Sequence, residues 1–174
     1  MWRFAELPVS FCASWVMVFG FVIARAAAKD GWNVTALLAE GEPKTTDAIT
    51  NFERLHSLSV NICADCTVLE TQHFDVVVDA LYGTGFHGAL RPSGLAACGL
   101  MNHLNKSGAF VLAVDLPSGI NTDTGEVAEG AAHADLTVTF DSYKPLHVVE
   151  SSAPLCGKIV CADIGIRDEW HPEF

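Results

Sequence analysis

Apolar runs of strand length recur along the chain at 16–19, 34–38, 60–64, 76–81, 109–114, 136–140 and 159–162. Each is short, rich in Val, Ile, Leu or Phe, and bounded by turn residues. Such runs read as strands buried on both faces, as in a parallel sheet covered by helices. Between them, 21–29, 46–58 and 92–105 carry helical spacing. Thr45, Thr46 and Asp47 offer capping groups at one helix start, and Pro92 suits the first turn of another. Gly31 and Gly108 stand where helices should stop. The alternation of strand and helix predicts a Rossmann-like three-layer α/β/α sandwich with a mostly parallel sheet.

Composition narrows this picture. The 174 residues fit one domain, and with 50% hydrophobic and 18% charged residues the chain is compositionally that of a packed core. A formal net charge of -11 repels nucleic-acid phosphate, so no nucleic-acid partner is expected. The 6 cysteines are spread through core-like segments and read as reduced, buried thiols. Cys63 and Cys66 form one CxxC, but no second pair stands at zinc-site spacing.

The stretch 7–24 carries no charge and ends near an alanine run, so it resembles a signal peptide or membrane span at the lower length limit. Pro8, Ser10, Ser14 and Gly20 interrupt it, and from Phe21 its pattern continues as an amphipathic helix. A cytoplasmic protein with no membrane partner is therefore the expectation.

Two strand ends carry candidate chemistry. In VVVDALYGTGFHGALRP, an apolar strand ends in Asp79 and leads into Gly83, Thr84 and Gly85, then Gly88, before a helix begins at Pro92. Glycines let backbone approach an anion, and a helix N-terminus follows; a ligand-free glycine turn is the alternative. In VLAVDLPSGINTDTG, a second strand ends in Asp115 and is followed by Pro117, Ser118 and Gly119. If the strands are neighbours, both acids lie at the carboxyl edge, where open α/β sheets bind ligands. Two acids there can hold a cation, share a proton or divide acid and base roles, or each can cap its own turn. Ser118 lacks the G-x-S-x-G setting of a hydrolase nucleophile. Lys144, beyond another strand, either meets an anionic ligand or lies in solvent, and solvent is the expected place. Among the 7 histidines only His87, inside the glycine loop, stands where a ligand would be.

With VVVDALYGTGFHGALR, VLAVDLPSGINTDTGEV, ADLTVTF, YKP and GKIVCADIGI in this order, the chain resembles the NAD(P)H-hydrate epimerases, the YjeF N-terminal domain family. The resemblance covers 16–166, leaving 1–15 as an atypical N-terminal segment and 167–174 as a tail. It implies an isomerase of metabolite repair that interconverts the R and S hydrates of NADH and NADPH (NADHX and NADPHX). A homodimer and a functional link to an NAD(P)H-hydrate dehydratase are implied with it. Carried onto matching positions, it implies Asp79 and Ser118 as ligands of a potassium ion. It implies Gly83, Thr84, Gly85, Phe86, His87, Gly88, Ala89 and Asp115 as substrate-binding residues. Asp115 is the expected acid/base group.

The chain departs from the family between its first strand and first helix. A loop resembling G-x-G-N-N-G-G-D-G is usual there, and only Phe19 and Gly20 stand between VMV and FVIAR. The loss of those contacts predicts weakened or lost activity, and a non-catalytic nucleotide-binding or dimerisation module of the same fold is the alternative.

Overall fold

In the computed structural model, residues 10–15 and 18–166 are described. The seven strands are β1 (Ser10–Trp15), β2 (Asn33–Leu37), β3 (Val60–Cys63), β4 (Val76–Ala80), β5 (Phe110–Val114), β6 (Leu136–Phe140) and β7 (Lys158–Ala162). They form one sheet in the order β3-β2-β1-β4-β5-β6-β7, and every pairing is parallel. The order reverses between β1 and β4, which opens a crevice at the carboxyl edge of the sheet.

Three helices cover the sheet: α1 (Val18–Lys29), α2 (Thr46–Glu53) and α3 (Pro92–Lys106). Side-chain alternation along β4 assigns the faces. Val77 packs with Ala97, Met101 and Leu104 of α3, whereas Val78 packs with Phe21 and Ala24 of α1 and Ala48 of α2. These are the two interfaces of a three-layer α/β/α sandwich, and they explain why β2 and β4 are buried at four of their five positions, on both faces. Thr45 caps α2 by accepting from the Ala48 amide at 3.3 Å, and Pro92 opens α3. After α1 and α3 the chain turns at Gly31 and Gly108, with φ of 88° and 105°, a conformation that suits a residue without a Cβ.

The first strand is displaced from its expected place. The sequence pattern puts it at 16–19, but β1 runs Ser10–Trp15 and Val18, Phe19 and Gly20 already belong to α1. The whole stretch 7–24 is uncharged, so apolarity alone does not divide strand from helix. Burial does: Gly20, Phe21 and Ala24 share the inner face of α1, a helical spacing. Part of the segment read as atypical is thus an interior strand, paired with both β2 and β4. Residues 1–9, 16–17 and the 167–174 tail lie outside the described residues. Among the described residues, no helix is long and apolar enough to cross a membrane.

The cysteines correct another expectation. Cys98 and Cys156 are buried, but Cys63 and Cys66 are half-buried and Cys161 is exposed. All five are free thiols. The Cys63 thiol donates to the Asp65 carbonyl at 3.2 Å. Among the described residues no cluster of three or more His, Cys, Asp or Glu is placed to hold a metal.

Candidate functional site

β4 and β5 are neighbours, with Asp79 opposite Ala113; Asp79 is the penultimate residue of β4 and Asp115 directly follows β5, so both lie at the carboxyl edge of the sheet. Their surroundings differ sharply. Asp79 is 1% exposed, and its carboxylate is held by the loop that follows Asp115. The Ser118 hydroxyl donates to Oδ1 at 2.6 Å, the Ser118 amide donates to Oδ2 at 2.7 Å, and the Leu81 amide donates to Oδ1 at 3.2 Å. The Ser118 hydroxyl also accepts from the Tyr82 amide at 3.0 Å. Burial pushes the Asp79 carboxyl above its usual range, against the pull of those three hydrogen bonds. Among the described residues no Lys, Arg or His forms an ion pair with it. The Asp79 carboxylate and the Ser118 hydroxyl are oxygen ligands of the kind a hard cation takes, with no cationic side chain paired to the acid among the described residues.

The loop after β4 packs onto the same partner. The Thr122 hydroxyl donates to the Thr84 carbonyl at 3.2 Å, which ties the glycine loop to the segment after β5. Leu81 to His87, Ala89 and Arg91 line a cavity of about 630 Å³, whereas Asp115 is not among its lining residues. His87 lines this cavity while its Nδ1 lies 2.9 Å from the Gly85 carbonyl, and Gly88 takes the loop through φ 78°. Tyr82 packs on Phe86 at 5.2 Å between ring centroids and donates to Glu40 Oε1 at 2.8 Å. Burial, then this bond to Glu40, pushes the Tyr82 hydroxyl up to about 12. Glu40 also accepts from the Ser93 hydroxyl at 2.6 Å and pairs with Arg91, so it joins the end of β2 to the start of α3. Glu40 stands in no sequence motif, and Arg91, although it closes the VVVDALYGTGFHGALR stretch, carries no signal there that pairs it with Glu40.

Asp115 is the strained member of the site. Its φ of 70° lies in the left-handed region, which costs a non-glycine residue about 1–3 kcal/mol and persists only where neighbours enforce it. Its amide donates to the Val138 carbonyl at 2.8 Å, and its carbonyl lies 3.0 Å from His147 Nε2. The Lys144 amide donates to His147 Nδ1 at 3.0 Å, so Nε2 carries the proton and donates to Asp115. Lys144 itself is not in solvent, as the sequence suggested: its Nζ lies 2.6 Å from Asp115 Oδ1, and both side chains are 19% exposed. His147, whose spacing pointed to no partner, is 4% exposed and bridges these two residues. Such pairings are non-local and leave no spacing signal.

Burial, helped by the Lys144 charge, holds the His147 imidazole below its ordinary 6.5. A depressed native value means that its contribution to stability is complete above pH 6.5 and is lost as pH falls through the native value. His147→Gln should therefore flatten the acid limb of the stability curve, in addition to a loss of about 1–2 kcal/mol from the altered hydrogen bonds. Urea unfolding of both proteins between pH 5 and 8 checks this; an unchanged slope contradicts it.

β1 ends at Trp15 and α1 begins at Val18, so only residues 16 and 17 connect them. In the first turn of α1, Phe19 stacks on Phe140 at the end of β6, with ring centroids 5.3 Å apart.

The family model for the YjeF-related protein N-terminus matches residues 18–146. Among curated proteins, the chain is 37% identical over 157 residues to the "Bifunctional NAD(P)H-hydrate repair enzyme Nnr" of Methanothermobacter thermautotrophicus. It is 39% identical over 158 residues to the protein of the same description from Moorella thermoacetica. Each match covers 84% of this chain but 29% of the relative, so the chain spans under a third of these relatives' length. Among solved structures, the yeast protein ynu0 (YNL200c) superposes with a TM-score of 0.66 at 20% identity, covering 83% of this chain and 63% of that one. That likeness agrees with the Rossmann-like fold. By its sequence match, the chain belongs to the YjeF-related protein N-terminus family.

Proposed function

We propose that this chain is an NAD(P)H-hydrate epimerase, an isomerase that interconverts the R and S hydrates of NADH and NADPH, with turnover reduced by its short first crevice loop. The observation that carries this reading is that Asp79 and Asp115 lie at the carboxyl edge of neighbouring strands, with Ser118 of the loop after Asp115 bonded to Asp79, in a chain of this family. Gly83, Thr84, Gly85, Phe86, His87, Gly88 and Ala89 would hold the substrate. Backbone amides of such a loop suit pyrophosphate, and Arg91, paired with Glu40, lines the same cavity.

The chemistry asked of Asp115 is proton transfer at the hydrated ring carbon. The carbon–oxygen bond breaks as the ring nitrogen shares its electron pair with the carbon, and hydroxide departs. Water then adds from the opposite face and gives a proton to the Asp115 carboxylate, which passes it to the departed hydroxide, so water is regenerated and nothing is consumed. Asp79 and Ser118 would hold potassium, which when bound would keep the buried Asp79 ionised and brace the two loops.

The relatives' description as bifunctional repair enzymes supports a functional link to a dehydratase that consumes the S hydrate. A homodimer and a cytoplasmic setting complete the proposal. The two-residue connection between β1 and α1 favours one competing reading, a nucleotide-binding or dimerisation module without turnover. Chromatographic measurement of R-to-S conversion in potassium buffer tests the proposal. Conversion above the buffer rate supports it, and ligand-induced thermal stabilisation without conversion favours the module.

A further inference from the structure

Three donors converge on one oxygen of Asp115. The Lys144 Nζ at 2.6 Å, the Thr139 hydroxyl at 2.8 Å and the Phe140 amide at 3.3 Å all donate to Oδ1. Among the described residues, none donates to Oδ2. Lys144 is fully engaged: besides Asp115, its ammonium donates to Thr139 Oγ1 at 2.8 Å and to the Phe140 carbonyl at 2.8 Å. Its three protons therefore have three acceptors inside the protein.

The backbone reinforces this arrangement. The His147 ring accepts from the Lys144 amide and donates to the Asp115 carbonyl, so it joins the strained turn at Asp115 to the segment that carries the lysine. Thr139, Lys144 and His147 lie 24, 29 and 32 residues from Asp115 in the chain, yet all three restrain it.

We infer that Lys144 is the positioning residue of this site: with Thr139 it fixes Asp115 Oδ1 and leaves Oδ2 as the oxygen that exchanges a proton with the hydrated ring. The inference rests on the epimerase reading. Lys144 acts through Asp115 rather than on the substrate, because its ammonium is already saturated. A point charge with three rotatable donors suits this cradle, whereas the planar fork of an arginine does not reproduce three bonds from one nitrogen. Misplacing a reacting group by about 1 Å can cost on the order of 100-fold in rate.

The test uses the full chain with purified R hydrate of NADH, measuring kcat and KM separately for wild type, Lys144→Met and Lys144→Arg, with unfolding temperatures alongside. The expected result is a kcat about 100-fold lower for Lys144→Met with KM within threefold of wild type. Lys144→Arg should keep the charge and the fold, with kcat at least about tenfold below wild type. The inference is overturned by a Lys144→Met kcat within threefold of wild type, by a loss confined to KM, or by a Lys144→Arg enzyme as fast as wild type. It is also overturned if both variants lose rate only in proportion to folded protein. A wild type that binds the hydrate without converting it contradicts the epimerase reading itself, and the inference falls with it.

Discussion

Asp115→Asn should lower the epimerisation rate by about 100- to 10,000-fold, the range typical of removing a positioned general acid or base. Asparagine is nearly isosteric, and its amide oxygen can keep the Thr139 and Phe140 donors while losing the full charge opposite Lys144. The fold and the glycine-loop cavity should survive, since Asp115 is not among the residues that line that cavity. Loss should therefore appear in kcat with KM nearly unchanged. Steady-state kinetics with either hydrate checks this. A raised KM at wild-type kcat would reassign Asp115 to binding alone.

Asp79→Ala should act on stability as well as on rate. The substitution strands the Leu81 and Ser118 amides and the Ser118 hydroxyl in a buried setting, where each lost partner costs about 1–3 kcal/mol before relaxation. A net loss of about 3 kcal/mol corresponds to about 6–12 °C in Tm for a domain of this size. Potassium supplies a second readout. If Asp79 and Ser118 hold the ion, replacing sodium by potassium should raise the Tm of the wild type but not that of the variant. Equal response of both proteins to potassium would remove Asp79 from the ion site.

The contrast between these two aspartates also marks how far the sequence reaches. Both were visible as acids closing apolar strands, and the parallel neighbours β4 and β5 follow from strand-helix alternation. The contact between Asp79 and Ser118 spans 39 residues and was carried only by resemblance, because no spacing rule connects two strand ends. Lys144 shows the opposite failure. Lysines are mostly exposed, and that general tendency hid a half-buried ion pair that only the return of β6 beside β5 creates. The displaced first strand has a third cause: an uncharged stretch satisfies strand and helix equally until neighbouring strands claim one part of it. Moving β1 toward the N-terminus also brings the start of α1 forward to Val18, so Phe19 and Gly20 lie in the helix and the short connection falls instead at residues 16 and 17.

That short connection makes the magnitude of activity informative. A loop with several ligand hydrogen bonds would contribute about 0.5–1.5 kcal/mol for each net bond, so a chain without it is expected to bind its substrate more weakly by orders of magnitude. The most direct measurement is the interconversion of R- and S-NADHX by the intact chain in potassium buffer, followed by chromatography beside buffer alone and the Asp115→Asn variant. The account predicts slow conversion above the buffer rate that vanishes in the variant. A wild type indistinguishable from buffer, or a variant as fast as the wild type, contradicts it.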